Sequence, residues 1–358
     1  MKEIEVNHNQ GGFPFIIAGP CSAETESQVL ETAKALEKNE RVKLFRAGVW
    51  KPRTRPNNFE GNGTQALQWL RKVKAETRLE PTIEVANAQH VELSLENDIK
   101  VLWIGARTTV SPFAVNEIAS ALEGSDAQLM IKNPVNADLA LWLGAIERFE
   151  AKGVKVIAAI HRGFTAYDSE YRNAPNWEIP IKLKTELPHM PLICDPSHIG
   201  GDRLKIESIS QRALDLDFEG LMIETHPNPD EAWSDAKQQI TPQSLDLVLG
   251  RLKPKKRTSQ TSAVTGQLEE LRSKLDEIDI QIISKIAERM DLVHSMGQLK
   301  SSNDLTIFQV ERWIEMIEQR IPYAQRKNLD QSFAELMMQI IHHESIRIQT
   351  DVYARNKE

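Results

Sequence analysis

The chain has 358 residues, a hydrophobic fraction of 41% and a formal net charge of −7. That length asks for two domains, and that charge argues against a general nucleic-acid surface, so basic clusters must be local sites. Cys21 and Cys194 give no disulfide framework, Met1 to Gln10 has no apolar signal core, and no window approaches a membrane span, so the expected location is cytoplasmic and no membrane partner is expected.

Before about residue 226, eight short apolar runs read as buried strands: Phe15–Ala18, Val42–Phe45, Thr82–Val85, Val101–Ile104, Leu129–Ile131, Val154–Ile160, Leu192–Cys194 and Leu221–Ile223. Amphipathic segments such as Glu26–Glu37, Thr64–Lys74, Pro112–Leu122, Ala137–Lys152 and Arg203–Leu214 lie between them. Alternation of strand and helix implies a parallel sheet with right-handed crossovers, and eight units over roughly 250 residues fit a closed (β/α)8 TIM barrel. A doubly wound open sheet is the alternative, but Glu60-Gly61-Asn62-Gly63-Thr64 lacks the third glycine of a dinucleotide fingerprint.

Nearly every strand ends in something polar: Cys21-Ser22, Arg46, Glu84, Arg107, Lys132-Asn133, His161-Arg162, Asp195-Pro196-Ser197-His198 and Glu224-Thr225-His226. In a barrel these ends share one rim, where active sites sit. The second strand runs into Arg46-Ala47-Gly48-Val49-Trp50-Lys51-Pro52-Arg53-Thr54-Arg55-Pro56, a loop with no acidic residue. It is either a rigid cradle for phosphorylated anions or a solvated basic loop with distant carboxylate partners. Arg46, Lys51, Arg53, Arg107, Lys132 and Arg162 form a cationic subset that calls for more than one anionic group. Cys21, His198, Glu224 and, further on, Asp235 form a second subset that could ligate a divalent ion such as Mn, Fe, Co or Zn.

Five ordered strings, Ala18-Gly19-Pro20-Cys21-Ser22, Lys51-Pro52-Arg53-Thr54-x-Pro56, Ile104-Gly105-Ala106-Arg107, Lys132-Asn133-Pro134 and Asp195-Pro196-Ser197-His198, resemble 3-deoxy-D-arabino-heptulosonate 7-phosphate (DAHP) synthase, short single-barrel subtype, over about residues 13–250. The resemblance implies a metal-dependent condensation of phosphoenolpyruvate with erythrose 4-phosphate. It makes Cys21, His198, Glu224 and Asp235 the metal ligands. It places Arg107, Lys132 and Arg162 at the phosphoenolpyruvate phosphate, Arg46 and Lys51 near its carboxylate, and Arg53, Thr54 and Ser197 at the erythrose 4-phosphate phosphate. Lys51, between the two anion sites, is the candidate proton donor. A related synthase making 3-deoxy-octulosonate 8-phosphate is the alternative, against which the Lys51-Pro52-Arg53-Thr54 string argues.

The expected barrel occupies residues 1–252. Residues 253–265, basic, Ser/Thr-rich and broken by Pro254, read as a flexible linker. Residues 266–358 read as an all-helical domain. Leu268, Leu271, Leu275, Ile278, Ile282, Ile286, Met290, Val293 and Met296 mark a long amphipathic helix, with further helical periodicity at Phe308–Ile321 and Phe333–Ile348. Three helices bury little core alone, so a homodimer through this domain is expected, or a tetramer built from it. At ~100° per residue Arg289 and Lys300 fall on the apolar face, which favours an anion pocket inside the bundle, whereas Arg272 points elsewhere.

Leu271-Arg272-x-Lys274-x-Asp276-x-Ile278-Asp279, Glu288-Arg289-Met290-x-Leu292-Val293 and Gly297-x-x-Lys300 resemble the all-helical class of chorismate mutase. The resemblance implies rearrangement of chorismate to prephenate. It implies that Arg289 and a neighbouring chain's Arg272 bind carboxylates, that Lys300 and Gln349 flank the ether oxygen, and that Arg312 and Ser345 complete the pocket. Trp313 stands where the family has an acidic residue, and Gln309 where aspartate is frequent. The helical domain is therefore expected to be a second catalyst and a prephenate sensor for the barrel, with a non-catalytic sensor or dimerisation module as the alternative.

Overall fold

The computed structural model describes residues 3–7, 13–51, 59–167, 169–255 and 261–355. The chain divides into two compact units, Met1–Arg257 and Thr258–Glu358.

The first unit is a closed barrel of eight parallel strands in chain order. The strands are β1 (Phe15–Gly19), β2 (Val42–Arg46), β3 (Glu80–Val85), β4 (Val101–Ile104), β5 (Gln128–Lys132), β6 (Lys155–His161), β7 (Leu192–Cys194) and β8 (Gly220–Glu224). Among the described residues ten helices accompany them: α1 (Glu26–Glu37), α2 (Thr64–Glu76), α3 (Ala88–Glu96), α4 (Ala106–Thr109), α5 (Pro112–Leu122), α6 (Leu139–Ala151), α7 (Glu178–Glu186), α8 (Pro196–Gly200), α9 (Ile206–Asp215) and α10 (Pro242–Arg251). Side-chain caps start several of them: Thr25 accepts from Gln28 N, Ser111 from Ala114 N, and Asp138 from Leu141 N. All eight apolar runs are strands. The segment expected as one helix over Arg203–Leu214 is instead a 3-10 turn, Arg203–Lys205, followed by α9.

Two apolar layers hold the barrel. One lies between strands and helices; the other fills the interior with Phe15, Ile17, Leu44, Val101, Trp103, Met130, Ile160, Ile193 and Met222. At the end where the strands begin, Val6 joins the interior layer. Ile4 fixes the segment there: its N–H donates to Gln128 Oε1 at 3.0 Å and its carbonyl accepts from Gln128 Nε2 at 3.1 Å.

The second unit contains α11 (Ser262–Ser301), α12 (Val310–Arg326) and α13 (Gln331–Arg355). α11 begins four residues before the expected Gly266, so the end of the stretch read as linker is helical. Helix α13 packs on both of the others. Its small core is Ile321, Ala324, Ala334 and Met338. Of the 40 residues of α11, Val293, Gly297 and Lys300 are buried, while Leu268, Leu271, Leu275, Ile278, Ile282 and Ile286 are exposed in the single chain. Among the described residues no helix is long and apolar enough to cross a membrane.

Candidate active sites

Side chains on a strand alternate between its two faces. The interior register therefore runs from Leu44 to Arg46, Met130 to Lys132, Ile160 to Arg162, Ile193 to Asp195 and Met222 to Glu224. In each pair the apolar residue packs the barrel, and the polar one two positions later stands at the mouth. A cavity of about 670 Å³ opens there, with Arg46, Lys51, Arg107, Lys132 and Arg162 in its wall beside Glu84, Trp103, His198 and Asp235.

The cations are held by partners that leave donors directed inward. Arg46 is 2% exposed, and its Nη2 lies 2.9 Å from Glu224 Oε1, while Nε and Nη1 have no hydrogen-bond partner. Buried polar groups rarely stay unpaired, so two orphaned guanidinium donors at a cavity wall mark a place for an anion. Lys132 Nζ lies 2.9 Å from Asp195 Oδ2. Both cations stand over the Trp103 ring, whose Nε1 donates to Glu84 Oε2 at 3.0 Å. Arg162 Nη1 donates to Asn173 Oδ1 at 2.7 Å. Burial, reinforced by Arg172 and Arg107, pushes Arg162 down to about 10. Burial is the main cause of that depression, and the nearby carboxylate of Asp195 opposes it.

Cys21, Glu224 and Asp235 each offer a ligand atom, all within 4.8 Å of one another. His198 joins at the edge, its Nε2 3.7 Å from Glu224 Oε1 and its Nδ1 2.8 Å from Asp195 Oδ2. This donor set fits a borderline divalent ion. Glu224 Oε1 has no hydrogen bond, and burial, then Glu224, push the Cys21 thiol up to about 12. A thiol so placed needs a cation to ionise. Burial would raise both carboxyls, but His198 and Arg46 outweigh it at Glu224, and Arg172 and His198 do so at Asp235, so both stay ionised. The loops are stitched together behind the cluster: Gln239 accepts from Cys21 N at 3.0 Å and donates to the Ser234 carbonyl at 2.9 Å.

Lys51 Nζ lies 2.9 Å from the Cys21 carbonyl and 3.0 Å from its sulfur. Burial opposes its charge, but Cys21 and Glu224 more than compensate, so it remains an ammonium. Ser197 is turned away from the cavity: its hydroxyl accepts from Glu224 N at 3.0 Å. Arg53 and Thr54 lie outside the described residues.

In the helical unit Arg289 Nη1 donates to Ser345 Oγ at 2.6 Å. Lys300, 8% exposed, donates to the Ile307 carbonyl at 2.7 Å. Gln349 is buried beside Gly297, and its Oε1 has no partner. Arg289 also lines an apolar groove of about 450 Å³ with Ile278, Ile282, Ile286, Met337 and Ile341. Arg272 and Arg312 are exposed and pair with Glu269 and Glu315 on their own helices. Trp313 stacks on His342, with ring centroids 4.1 Å apart.

A family model described as the DAHP synthetase I family matches residues 3–260, and one described as chorismate mutase type II matches residues 271–350. The chain belongs to the DAHP synthetase I family. It carries a chorismate mutase type II domain C-terminal to the barrel in sequence. Among similar proteins, the phospho-2-dehydro-3-deoxyheptonate aldolase of Thermotoga maritima is 30% identical over 230 residues, which is 64% of this chain and 66% of that protein. The match thus spans just under two thirds of that relative's length. A 2-dehydro-3-deoxyphosphooctonate aldolase of Protochlamydia amoebophila is 26% identical over 257 residues, covering 66% of this chain and 90% of its own. The crystal structure of the DAHP synthase of Thermotoga maritima superposes with a TM-score of 0.60 at 26% identity, covering 67% of this chain and 68% of that one.

Around this DAHP synthetase barrel stand residues that the sequence reading left without a role. Asp195, inside the Asp-Pro-Ser-His string, faces both Lys132 and His198. Asn173 donates to the His198 carbonyl at 2.7 Å while holding Arg162. Arg172 pairs with Asp235 at 3.1 Å. Trp103 was visible only as a strand residue. Asp195 could have been found from its motif; Arg172 and Asn173 carry no periodic signal.

Proposed function

We propose that the chain catalyses two reactions: the condensation of phosphoenolpyruvate with erythrose 4-phosphate and water to DAHP and phosphate, and the rearrangement of chorismate to prephenate. The observation that supports the first is the cavity at the barrel mouth, where Arg46 keeps two buried donors unpaired beside the Cys21, Glu224 and Asp235 cluster. Cys21, His198, Glu224 and Asp235 would hold a divalent ion, which supplies Lewis acidity toward the acceptor's carbonyl oxygen. Lys132, Arg107 and Arg162 bind the phosphate of phosphoenolpyruvate, and Arg46 binds its carboxylate. Arg53 and Thr54 remain assigned to the acceptor's phosphate, whereas Ser197, which accepts from Glu224 N, is withdrawn from that role. Fixed cations hold two mutually repelling anions at reacting distance, which is chiefly a positioning effect. Lys51, an ammonium against Cys21, donates a proton to the acceptor's carbonyl oxygen, which thereby becomes the new hydroxyl.

The curated phosphooctonate aldolases favour a second reading, in which the acceptor has five carbons instead of four. An assay offering phosphoenolpyruvate with each sugar phosphate in turn separates them. Product formation only with the five-carbon acceptor would overturn the DAHP assignment.

For the helical unit, Arg289, Ser345, Lys300 and Gln349 are proposed to bind chorismate, with Arg272 contributed by a second copy. Compaction of the substrate and charge stabilisation at the breaking C–O bond suffice for this unimolecular step. Burying Leu268, Leu271, Leu275, Ile278, Ile282 and Ile286, all exposed in the single chain, would contribute on the order of 10 kcal/mol toward a homodimer. Trp313 stacked on His342 supports the alternative that this unit binds prephenate as a sensor without fast turnover. Mutase turnover measured on the purified chain decides between catalyst and sensor.

A further inference from the structure

Glu224 is held from behind by a neutral amide. Gln238 lies in the 3-10 turn Ala236–Gln238, is 1% exposed, and donates Nε2–H to Glu224 Oε2 at 2.6 Å. Its other end meets Arg172, whose Nη1 lies 2.5 Å from Gln238 Oε1 and 3.1 Å from Asp235 Oδ1. The polarity of this chain of groups is not free. A guanidinium only donates and a carboxylate only accepts. The amide must therefore turn its oxygen to Arg172 and its nitrogen to Glu224, so the flip ambiguity of a glutamine is removed from both ends. Glu224 Oε2 is occupied as a result. Oε1 is left without a hydrogen bond, 2.9 Å from Arg46 Nη2 and 3.7 Å from His198 Nε2. Gly201 gives Arg172 its room: at φ +64° it sits so close that a Cβ there would fall 2.5 Å from the Arg172 Cβ.

We propose that Gln238, its amide locked by Arg172, is a positioning residue that reserves Glu224 Oε2 and so presents a single oxygen, Oε1, to the divalent ion. This rests on reading the cluster as an ion site and adds a role for two residues outside the ligand set. Arg172 does two opposed things. Its charge competes with the ion for Asp235, and its hydrogen bond fixes the amide that orients Glu224. Partners that orient metal-holding side chains typically change affinity by about 10–100-fold when removed.

The experiment is direct binding of Mn²⁺ to the metal-stripped full-length chain by titration calorimetry, with the absorption spectrum of the Co²⁺ adduct as a second readout. Gln238→Met keeps the side chain's length and removes the donor. The expected result is Mn²⁺ binding about 10–100-fold weaker, an altered Co²⁺ spectrum, and an unchanged KM for phosphoenolpyruvate at saturating metal. Arg172→Met keeps the test open should the first variant not fold, because Arg172 is half exposed. Removing that cation would by charge alone tighten Mn²⁺ binding. Weaker binding there reports lost orientation and supports the proposal, and tighter binding counts against it. Mn²⁺ affinity of Gln238→Met within about threefold of the parent chain, with the same Co²⁺ spectrum, overturns the positioning role alone. A parent chain that binds neither Mn²⁺ nor Co²⁺ overturns the ion site itself, and the role of Gln238 with it.

Discussion

Asp195 Oδ2 lies 2.9 Å from Lys132 Nζ, and neither residue is more than 4% exposed. The same oxygen is 2.8 Å from His198 Nδ1, and the other accepts from His198 N at 3.1 Å. One carboxylate thus stands between the lysine assigned to phosphate and the imidazole assigned to the ion. Burial alone would raise this carboxyl, but His198 and Lys132 outweigh it and hold it well below the usual range. Removing one partner of a buried pair costs about 3–5 kcal/mol, so Asp195→Ala should destabilise the barrel by that order. Asp195→Asn keeps an oxygen for the helix cap and should lower condensation by about 10–100-fold. Both assays on one preparation, with a urea melt, check this; mutase turnover should not move.

Chelation should separate the two reactions. Exhaustive treatment with EDTA is expected to abolish condensation and leave mutase turnover nearly unchanged, because only the barrel assembles a ligand set among the described residues. Condensation persisting in a chain shown metal-free by elemental analysis would sink the assignment of Cys21, His198, Glu224 and Asp235.

Arg272 is exposed and does not line the groove that Arg289 lines, and Glu269 on its own helix is its ion-pair partner among the described residues. If it serves a second copy, Arg272→Ala and Lys300→Ala should each lose mutase activity. Mixed dimers should then regain about one working site, since each chain supplies what the other lacks. No recovery despite demonstrated subunit exchange would place Arg272 outside the catalytic pocket.

His161 gives the barrel a pH-dependent stability. Its side chain faces the helix layer among Phe164, Trp177 and Phe218. Burial, with Arg162 adding to it, pushes the imidazole down to about 3. The unfolded chain takes up the proton first, near pH 6.5. The contribution is therefore complete above that pH and is lost toward pH 3, by up to about 1.4 kcal/mol per pH unit. His161→Phe should flatten this part of the slope. Urea melts between pH 7 and 4, read by tryptophan fluorescence, compare the two chains.

Prephenate should inhibit condensation in the intact chain and leave a barrel ending near Leu252 unaffected. Tenfold inhibition requires about 1.4 kcal/mol of differential affinity between the active and inhibited states. Equal inhibition of the isolated barrel would move the effector site onto the barrel.

The strands were legible because a buried parallel strand is a short run of Val, Ile and Leu. Each run stopped one residue short where the last strand residue is polar, as at Arg46, Lys132, His161 and Glu224. The missed helices bury little: α3 fully buries Val91 and Ser94, and α7 Pro180 and Leu183, too few to show a 3.6-residue period. Cys21, Glu224 and Asp235 were named from sequence and do converge, whereas Ser197 turns toward the β8 backbone. The Arg172–Gln238–Glu224 chain was out of reach. Arg172 and Gln238 lie outside the strands and α-helices, 66 residues apart, and only folding brings them to Glu224.

Among the described residues, Ile4 and Val6 stopper the end where the strands begin, so the barrel is a cup that opens at its mouth. In the proposed condensation, two reactants would enter and two products would leave by that mouth. Depth then dictates sequence of arrival. Arg46 and Lys132 are all but sealed from solvent, while Arg107 is exposed. The anion that reaches the deep pair must come before the one that settles above it. Under the proposed condensation, traffic through the site would be a stack, last in and first out, and not a queue.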